Sequence, residues 1–497
     1  MGSTSNLNNL KFNSVAALVY QAVVIISGLI IPRFILKFYG SETNGLQASV
    51  SQFLSVINFL ELGVGSVVQS ALYKPLYESN MNLISEILSA AQSYFKKIAA
   101  ILIIYVIILL VLFPNIINSP LNDISTGLLI IAMSISQFSQ FYFGLTNQLL
   151  LNADQRNYVQ ISASIVTVIL NTALTVFFIY LKFSIVTVKF ISAFVFLLRP
   201  LFLKYYVSKH YQISLKEKFT SNSIPQKWNG MAQHIAYVVL DSTDIIVLTV
   251  FSTLESVSIY TIYNLVVNGL KQLVMSLGSG LQSFFGHYLA RDNVKEALEF
   301  LNKIEWISHT IIVLLFSMTL NLIIPFIHLY TKGVNDVNYE QPLFALFIVL
   351  AQMVFCLRLP YSSIVLAGGH FKQTQNSAII EATLNVVISI VLVNQFGLIG
   401  VAIGTLIAVS YRTLYLVNYL RNNLIYRPLS IFLKQAFIDV ISLFILYFSA
   451  NFINIKSDNF FQWIITAIIL GLHHIVIILI INLMFFKDNI LQLLKDY

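Results

Sequence analysis

Residues 42–73 read ETNGLQASVSQFLSVINFLELGVGSVVQSALY, a stretch that is too apolar for the surface of a soluble protein. As an α-helix it would be about 48 Å long, enough to cross the ~30 Å hydrocarbon core of a bilayer and project beyond it. Four polar side chains nevertheless occupy its middle: Gln47, Gln52, Asn58 and Glu61. The stretch therefore predicts a membrane helix with one polar face.

The rest of the chain has the composition of an integral membrane protein. Of its 497 residues, 57% are hydrophobic and 10% are charged, with a mean hydropathy of +0.80, whereas soluble domains carry about 25% charged residues. The single cysteine, Cys356, excludes an intramolecular disulfide and a cysteine-based metal site. The chain has no Gly-rich phosphate loop with lysine, no H-E-x-x-H, no G-x-S-x-G and no soluble domain for ATP, which excludes an ATP-driven pump.

Fourteen apolar runs are long enough to span a bilayer, which predicts an all-α protein with about fourteen transmembrane helices. The first run is expected to be a retained helix rather than a cleaved signal peptide. With both termini in the cytoplasm, 20 of the 29 lysine and arginine residues fall at the inner face, as the positive-inside rule requires. The runs are 13–37, 42–73, 86–113, 122–150, 157–181, 184–209, 228–252, 257–289, 299–327, 341–366, 373–395, 398–423, 430–453 and 460–486.

The second half of the chain repeats landmarks of the first. Leu62-Gly63-Val64-Gly65 corresponds to Leu277-Gly278-Ser279-Gly280 at an offset of 215 residues, and further landmarks follow at offsets of 216 and 213. A repeat of six helices returns the chain to its starting side, so the two halves are expected to be parallel repeats around a central cavity. The predicted organisation is an N-lobe at 1–209, a cytoplasmic linker at 210–227, a C-lobe at 228–423, and two further helices with a tail at 424–497.

Ionisable side chains within the spans are the candidate functional residues, because burying a charge in a membrane is costly unless it faces a cavity or a partner. Cations suit an anionic head group, since a guanidinium can bind a phosphate through two hydrogen bonds. The candidates for substrate binding are Arg33, Lys271, Arg358, Arg412, Gln52 and Asn268, and those for charge balance or ion coupling are Glu61, Asp241, Asp244 and Glu381.

Simpler explanations exist for several of these residues. Arg33 could extend to the outer interface, and Asp244 could be a structural partner of a nearby cation. Arg358 and Arg412 could merely anchor the inner face. Lys271, in the middle of its helix beside Gln272, is the hardest to explain without polar surroundings.

Glycines provide candidate hinges at Gly63, Gly65, Gly278 and Gly280. The alternative is that these glycines allow close helix packing or a mild bend. No metal site is predicted, because the pair His473-His474 is isolated and fits a packing role.

The order of several motifs resembles one family of transporters. These motifs are Pro32-Arg33, Tyr39-Gly40 and Gly45-Leu46, then the segments 59–65, 243–247 and 257–264. They are similar to the polysaccharide flippases of the Wzx type, which serve O-antigen, capsule and teichoic acid synthesis and belong to the multidrug/oligosaccharidyl-lipid/polysaccharide exporter (MOP) superfamily. The resemblance covers nearly the whole chain, including the count of fourteen helices.

This resemblance implies a function. It implies a flippase in the cytoplasmic membrane of a bacterium that moves an undecaprenyl-diphosphate-linked oligosaccharide from the inner to the outer leaflet by alternating access. Cations of the central cavity would meet the diphosphate. The expected partners are this substrate, membrane lipids, and polymerase and glycosyltransferases of the same pathway, with no nucleic acid. No cofactor is expected, although a sodium ion, a proton or the membrane potential could drive turnover.

Two other functions remain open on the sequence. A cation or drug antiporter of the same superfamily would need an acidic, aromatic cavity, whereas the deep charges here lean basic. A membrane glycosyltransferase or polymerase would need a sizeable outer loop, and the outer loops here are short.

Overall fold

The computed structural model describes residues 3–61, 64–213, 231–278, 280–291, 294–453, 457–487 and 489–490. In these residues all regular secondary structure is helical. Eleven helical segments are long and apolar enough to cross a membrane. The helices α8 and α9 defined below, which carry Asp241, Asp244 and Lys271, are not among those eleven. The predicted class, an all-α integral membrane protein, is confirmed, and most of the predicted linker lies outside the described residues.

The chain divides into two units, Met1–Ile235 and Ala236–Tyr497. The helices of the first unit are α1 Ser3–Ser55, α2 Val64–Tyr77, α3 Met81–Ile116, α4 Asp123–Ser139, α5 Leu145–Ala153, α6 Asn157–Tyr180 and α7 Ile185–His210. A 3₁₀-helix at Val56–Leu60 follows α1, and a π-helix at Gln140–Gly144 joins α4 to α5.

The boundary between the units lies inside α8. The remaining helices are α8 Met231–Phe251, α9 Leu254–Gly278, α10 Leu281–Ala290, α11 Val294–Tyr330, α12 Pro342–Leu357, α13 Leu359–Ala367, α14 Phe371–Phe396, α15 Leu398–Asn423, α16 Leu429–Ser449 and α17 Phe460–Phe485.

The first two predicted spans form one helical run that bends at Gly40. This glycine has φ +81°, a left-handed value that side chains other than glycine rarely adopt. In the second unit the chain turns at the corresponding place, between the end of α8 at Phe251 and the start of α9 at Leu254. The repeat therefore conserves a break in direction after its first span.

The prediction of one continuous helix over residues 42–73 is wrong. Its α-helical part ends at Ser55, a 3₁₀-helix continues to Leu60, and α2 begins only at Val64. The matching prediction at 257–289 is also interrupted, because α9 ends at Gly278 and α10 begins at Leu281. Apolar periodicity runs through both interruptions and so conceals them.

Close packing of α14 on α15 depends on two glycines four residues apart. A Cβ atom at Gly400 would lie 2.5 Å from the backbone oxygen of Leu392, and one at Gly404 would collide with Ser389. Such small-residue pairs let two membrane helices approach closely. This contact fixes α15, which carries Thr405 and Arg412, against α14, which carries Glu381 and Asn385.

Candidate functional site

The second unit brings predicted cations together around the ring of Phe355. The Lys271 ammonium lies 4.5 Å from the centroid of this ring, and the Arg358 guanidinium lies 4.4 Å from it. Cations are attracted to the faces of aromatic rings, more strongly where water is excluded. Both side chains are buried, so Phe355 connects two charges that sequence reasoning had placed on separate helices.

Each of these cations has a carboxylate partner. Lys271 Nζ lies 3.2 Å from Oδ1 of Asp241, whose side chain is 50% exposed. Arg358 Nη1 donates to Oε1 of Glu381 at 2.5 Å, and Arg412 Nη1 donates to Oε2 of the same carboxylate at 2.8 Å. One buried glutamate therefore holds two arginines, one at the α12–α13 junction and one on α15.

We call Asp241, Lys271, Phe355, Arg358, Glu381 and Arg412 the Phe355 cluster. Its three cations and two carboxylates leave one positive charge in excess. The Nε atom of Arg412 is buried and has no hydrogen-bond partner among the described residues. The cluster thus has both net charge and unused donor capacity for an anion.

Asp244 lies apart from the cations and is held by neutral donors. Its carboxylate accepts hydrogen bonds from the Tyr260 hydroxyl at 2.9 Å, from Thr405 Oγ1 at 2.9 and 3.0 Å, and from Asn385 Nδ2 at 3.3 Å. It forms no ion pair with a described residue, so the structure does not support its alternative role as the partner of a nearby cation. Asp244 is a buried negative charge surrounded by oxygen and amide groups.

A small pocket joins Asp244 to the Phe355 cluster. Its lining includes Asp241, Asp244, Lys271, Gln352 and Phe355. The cavity has a volume of about 20 Å³, and a single water needs ~10–15 Å³. The pocket is large enough for a water or a small ion and too small for a sugar.

Four other predicted site residues lie outside this constellation. In the first unit, Gln52 Nε2 donates to Ser55 Oγ at 3.1 Å in the last turn of α1. Glu61 caps the 3₁₀-helix and forms no ion pair with a described residue. Arg33 is half-buried after Pro32. In the second unit, Asn268 is half-buried on α9.

Three of the four hinge candidates are described, and Gly63 lies outside the described residues. A Cβ atom at Gly65 would lie 3.5 Å from Leu149, and Gly278 and Gly280 would meet nothing closer than 3.7 Å. These are ordinary contacts, so close packing does not require glycine at these three positions. The helix breaks at Leu60–Val64 and Gly278–Leu281 coincide with the glycines, while their role as hinges stays a prediction.

Sequence reasoning missed Arg199 on α7. Its Nη2 donates to Oε1 of Gln160 at 2.7 Å and to Oε1 of Gln148 at 3.0 Å, and no described carboxylate pairs with it. The π-helix at Gln140–Gly144 lies beside it, and π-helices often occur at functional sites. The repeat could have revealed this residue, because Arg199 is 213 residues before Arg412, the same offset that relates the starts of their helices.

A second missed group is a buried network at Glu305. Arg427 pairs with this carboxylate through both terminal nitrogens, and the Tyr361 hydroxyl donates to it as well. One turn along α11, His309 Nδ1 lies 2.6 Å from Oδ2 of Asp439 on α16. The signal in the sequence was a glutamate and a histidine four residues apart in an apolar helix.

Comparisons with known proteins support the fold. No protein-family model matches the sequence, and no curated protein sequence matches it. Among solved structures, the MurJ lipid II flippase in an inward closed conformation is similar, with TM-score 0.66 and 18% identity over 96% of this chain and 99% of that chain.

The structures of two multidrug transporters are also similar to this chain. An inward-facing multidrug resistance MATE family transporter of the MOP superfamily has TM-score 0.59 and 13% identity over 80% of this chain and 97% of its own. A eukaryotic MATE transporter has TM-score 0.55 and 13% identity over 88% of this chain and 99% of its own. At these identities the likeness concerns the fold, and this chain has the fold of the transporters and flippases of the MOP superfamily.

Proposed function

We propose that the protein is a flippase for undecaprenyl-diphosphate-linked oligosaccharide repeat units in the synthesis of a bacterial surface polysaccharide. It carries them from the inner to the outer leaflet by alternating access. The observation that carries this proposal is the Phe355 cluster, in which three cations within a membrane transporter fold are paired with two carboxylates. One of its fold neighbours, which aligns over 96% of this chain, is described as a flippase of lipid II.

The cluster suits a diphosphate better than an organic cation. Among the described residues Lys271 forms an ion pair only with the half-exposed carboxylate of Asp241, so an incoming phosphate oxygen can replace Asp241 as its partner. Arg412 pairs through Nη1, and its Nε has no hydrogen-bond partner in the part of the chain that the structure describes. A charge-assisted hydrogen bond contributes about 1.5–3 kcal/mol, so two such contacts provide a large share of the affinity for the linkage.

The direct test is flipping of a fluorescent lipid-linked oligosaccharide by the purified full-length protein in proteoliposomes. Lys271→Ala is expected to reduce the initial rate by roughly 10- to 100-fold, because it removes one charged contact with the substrate. Lys271→Arg keeps the positive charge and should retain part of the wild-type rate. Lys182→Ala, which removes an exposed lysine from the turn between α6 and α7, is the control and should flip at the wild-type rate. Flipping by Lys271→Ala at the wild-type rate would disprove this role of Lys271.

Turnover is proposed to be coupled to a monovalent cation at Asp244. Two buried oxygens near Asp244 have no hydrogen-bond partner among the described residues. They are Oδ1 of Asn385, whose Nδ2 donates to Asp244, and Oε1 of Gln352, which lines the same pocket. A single carboxylate with neutral oxygens balances one positive charge, and oxygen donors suit hard cations such as sodium. Asp244 and Thr405 would bind such an ion together with Asn385.

Asp244→Asn tests the coupling separately from substrate binding. The variant should flip slowly at every sodium concentration and pH, whereas the wild type should depend on one of the two. Binding of the lipid-linked substrate to the variant should remain within about twofold of wild type. A variant that keeps the full ion dependence would show that the coupling ion binds elsewhere.

A multidrug antiporter is the second candidate, and the cation-sized pocket at Asp244 favours it together with the MATE fold neighbours. Its discriminating measurement is ion-driven efflux of a cationic dye from the same proteoliposomes. Dye efflux without any flipping of the lipid-linked oligosaccharide would replace the flippase proposal with this one.

A further inference from the structure

The last span of each repeat carries the same short motif, Arg-x-Leu-aromatic-Leu-x-x-Tyr. In α7 it reads RPLFLKYY, from Arg199 to Tyr206, and in α15 it reads RTLYLVNY, from Arg412 to Tyr419. The offset is 213 residues at every position. The two copies coincide in four residue types and differ at the first aromatic position, where Phe202 corresponds to Tyr415.

The environment of the motif is duplicated as well as its sequence. The first leucine is exposed in both copies, at Leu201 and Leu414, and the second is buried in both, at Leu203 and Leu416. The corresponding side of the motif is therefore turned to the interior of the unit in α7 and in α15. The arginine and the two aromatic residues follow one another at spacings of three and four, which places them along one side of a helix.

The terminal tyrosine of each motif contacts a residue in the turn that begins the preceding helix. The Tyr419 hydroxyl lies 2.6 Å from Nδ1 of His370, in the turn before α14. Tyr206 interacts with Arg156, in the turn before α6, and stacks on His210 at 4.1 Å. The rings at the end of the motif are therefore fixed in position in both units.

In the second unit the aromatic side chains extend into a ladder of three tyrosines. The ring centroids of Tyr411 and Tyr415 are 6.3 Å apart, and those of Tyr415 and Tyr419 are 6.1 Å apart. Eight residues of helix separate the first ring from the last, about 12 Å at 1.5 Å per residue. The first unit has Leu198 where the second has Tyr411.

Two of the three hydroxyls of this ladder, those of Tyr411 and Tyr415, are not used by the fold. Tyr411 and Tyr415 are half-buried within a candidate membrane span, and neither hydroxyl has a hydrogen bond to a described residue. A polar group without a partner is costly in hydrocarbon. These two hydroxyls therefore call for polar surroundings, which close packing on apolar side chains or contact with lipid tails would not provide.

The middle ring of the ladder, Tyr415, lies on the same side of α15 as Arg412, the cation that the proposed diphosphate would meet. Arg412 follows Tyr411 directly, and Tyr415 lies three residues beyond it. Faces of pyranose rings carry C–H bonds that pack on aromatic rings, and sugar hydroxyls accept and donate hydrogen bonds. An arginine followed by a row of tyrosines thus fits an anionic linkage followed by two or three sugar rings.

We propose that Tyr411, Tyr415 and Tyr419 form a binding track for the sugar rings next to the diphosphate. This inference rests on the proposed function and adds to it which part of the substrate each side chain recognises. The copy in α7 keeps the arginine and the terminal tyrosine but has Leu198 and Phe202 in place of Tyr411 and Tyr415, so the sugar track belongs to the second unit.

The experiment compares two ligands on the full-length protein in lipid nanodiscs. One is undecaprenyl diphosphate carrying a chitobiose disaccharide, and the other is undecaprenyl diphosphate without sugar. Tyr415→Leu should weaken binding of the first about tenfold, the order of magnitude of one stacked ring, and leave the second within twofold. Tyr415→Phe should show an intermediate loss, and Tyr411→Leu serves as a second variant if Tyr415→Leu does not fold.

Phe202→Leu is the matched control, because it removes the ring at the equivalent position of α7 and should leave both affinities unchanged. Equal effects of Tyr415→Leu on the two ligands, or no effect on either, would overturn the sugar track while leaving the flippase proposal standing. A sugar-selective loss in Phe202→Leu would overturn its assignment to the second unit. If the wild-type protein binds neither ligand, the flippase proposal fails, and the track fails with it.

Discussion

Glu381 is the residue whose neutralisation should disturb the second unit most. It accepts from Arg358 at 2.5 Å and from Arg412 at 2.8 Å, and its side chain is 1% exposed. Glu381→Gln would leave two buried guanidinium groups without a counter-charge. Breaking a buried pair by removing one partner costs about 3–5 kcal/mol, and here the removed partner serves two cations.

Removal of one arginine should cost less. Arg412→Gln leaves Arg358 and Glu381 as a balanced pair and gives up one charge-assisted hydrogen bond, a loss of about 1.5–3 kcal/mol. The combination of Glu381→Gln with Arg412→Gln should therefore recover part of the stability lost in Glu381→Gln alone. This order of stability follows from the ratio of two arginines to one carboxylate.

The assay is the apparent midpoint of thermal unfolding of the purified protein in nanodiscs, measured at one heating rate because such unfolding is often irreversible. The unfolding entropy of a chain of 497 residues is about 1 kcal/mol/K. A loss of 3–5 kcal/mol should therefore lower the midpoint by about 3–5 °C for Glu381→Gln, and Arg412→Gln should lower it by less. Equal midpoints for wild type and Glu381→Gln, or an equal loss in the two single variants, would refute the reasoning.

Further predictions concern helix packing and the buried network at Glu305. Gly400→Ala places a methyl group 2.5 Å from the backbone oxygen of Leu392 and should cost about 1–3 kcal/mol, seen as a lower unfolding midpoint. Gly286→Ala, with nothing within 4 Å of its Cβ position, should leave that midpoint unchanged or slightly raised. Arg427→Gln leaves the Glu305 carboxylate buried without its cation and should cost about 3–5 kcal/mol; recovery in the double variant with Glu305→Gln would confirm the pair, and its absence would contradict it.

The fold could be predicted from the sequence because spanning a membrane imposes a simple requirement on length and polarity. Apolar runs fixed the class, and the repeated Leu-Gly-x-Gly landmark indicated two related halves. The interruptions at Val56–Leu60 and Gly278–Leu281 could not be predicted from the same signal, because the hydrophobic pattern continues across them. What changes there is the backbone hydrogen bonding, which leaves little trace in composition.

The candidate site could be predicted in part. The depth of Lys271 in an apolar helix marked it as functional, and the structure places it 4.5 Å from the Phe355 ring. The joining of Arg358 and Arg412 through Glu381 could not be foreseen, because these residues come from the α12–α13 junction, α15 and α14 and meet only through tertiary packing. Arg199 was overlooked because topology alone assigned its end of the helix to the inner face.

The network at Glu305 limits how the chain could be shortened. Helices α16 and α17 lie outside the twelve-helix duplication, so a truncation after Asn423 looks harmless in terms of the repeat. It would, however, remove Arg427 and Asp439 and leave Glu305 and His309 without these partners in an apolar interior. A version of this protein that ends at Asn423 would therefore need apolar replacements on α11 before it could fold, which makes the last two helices an integral part of the second unit.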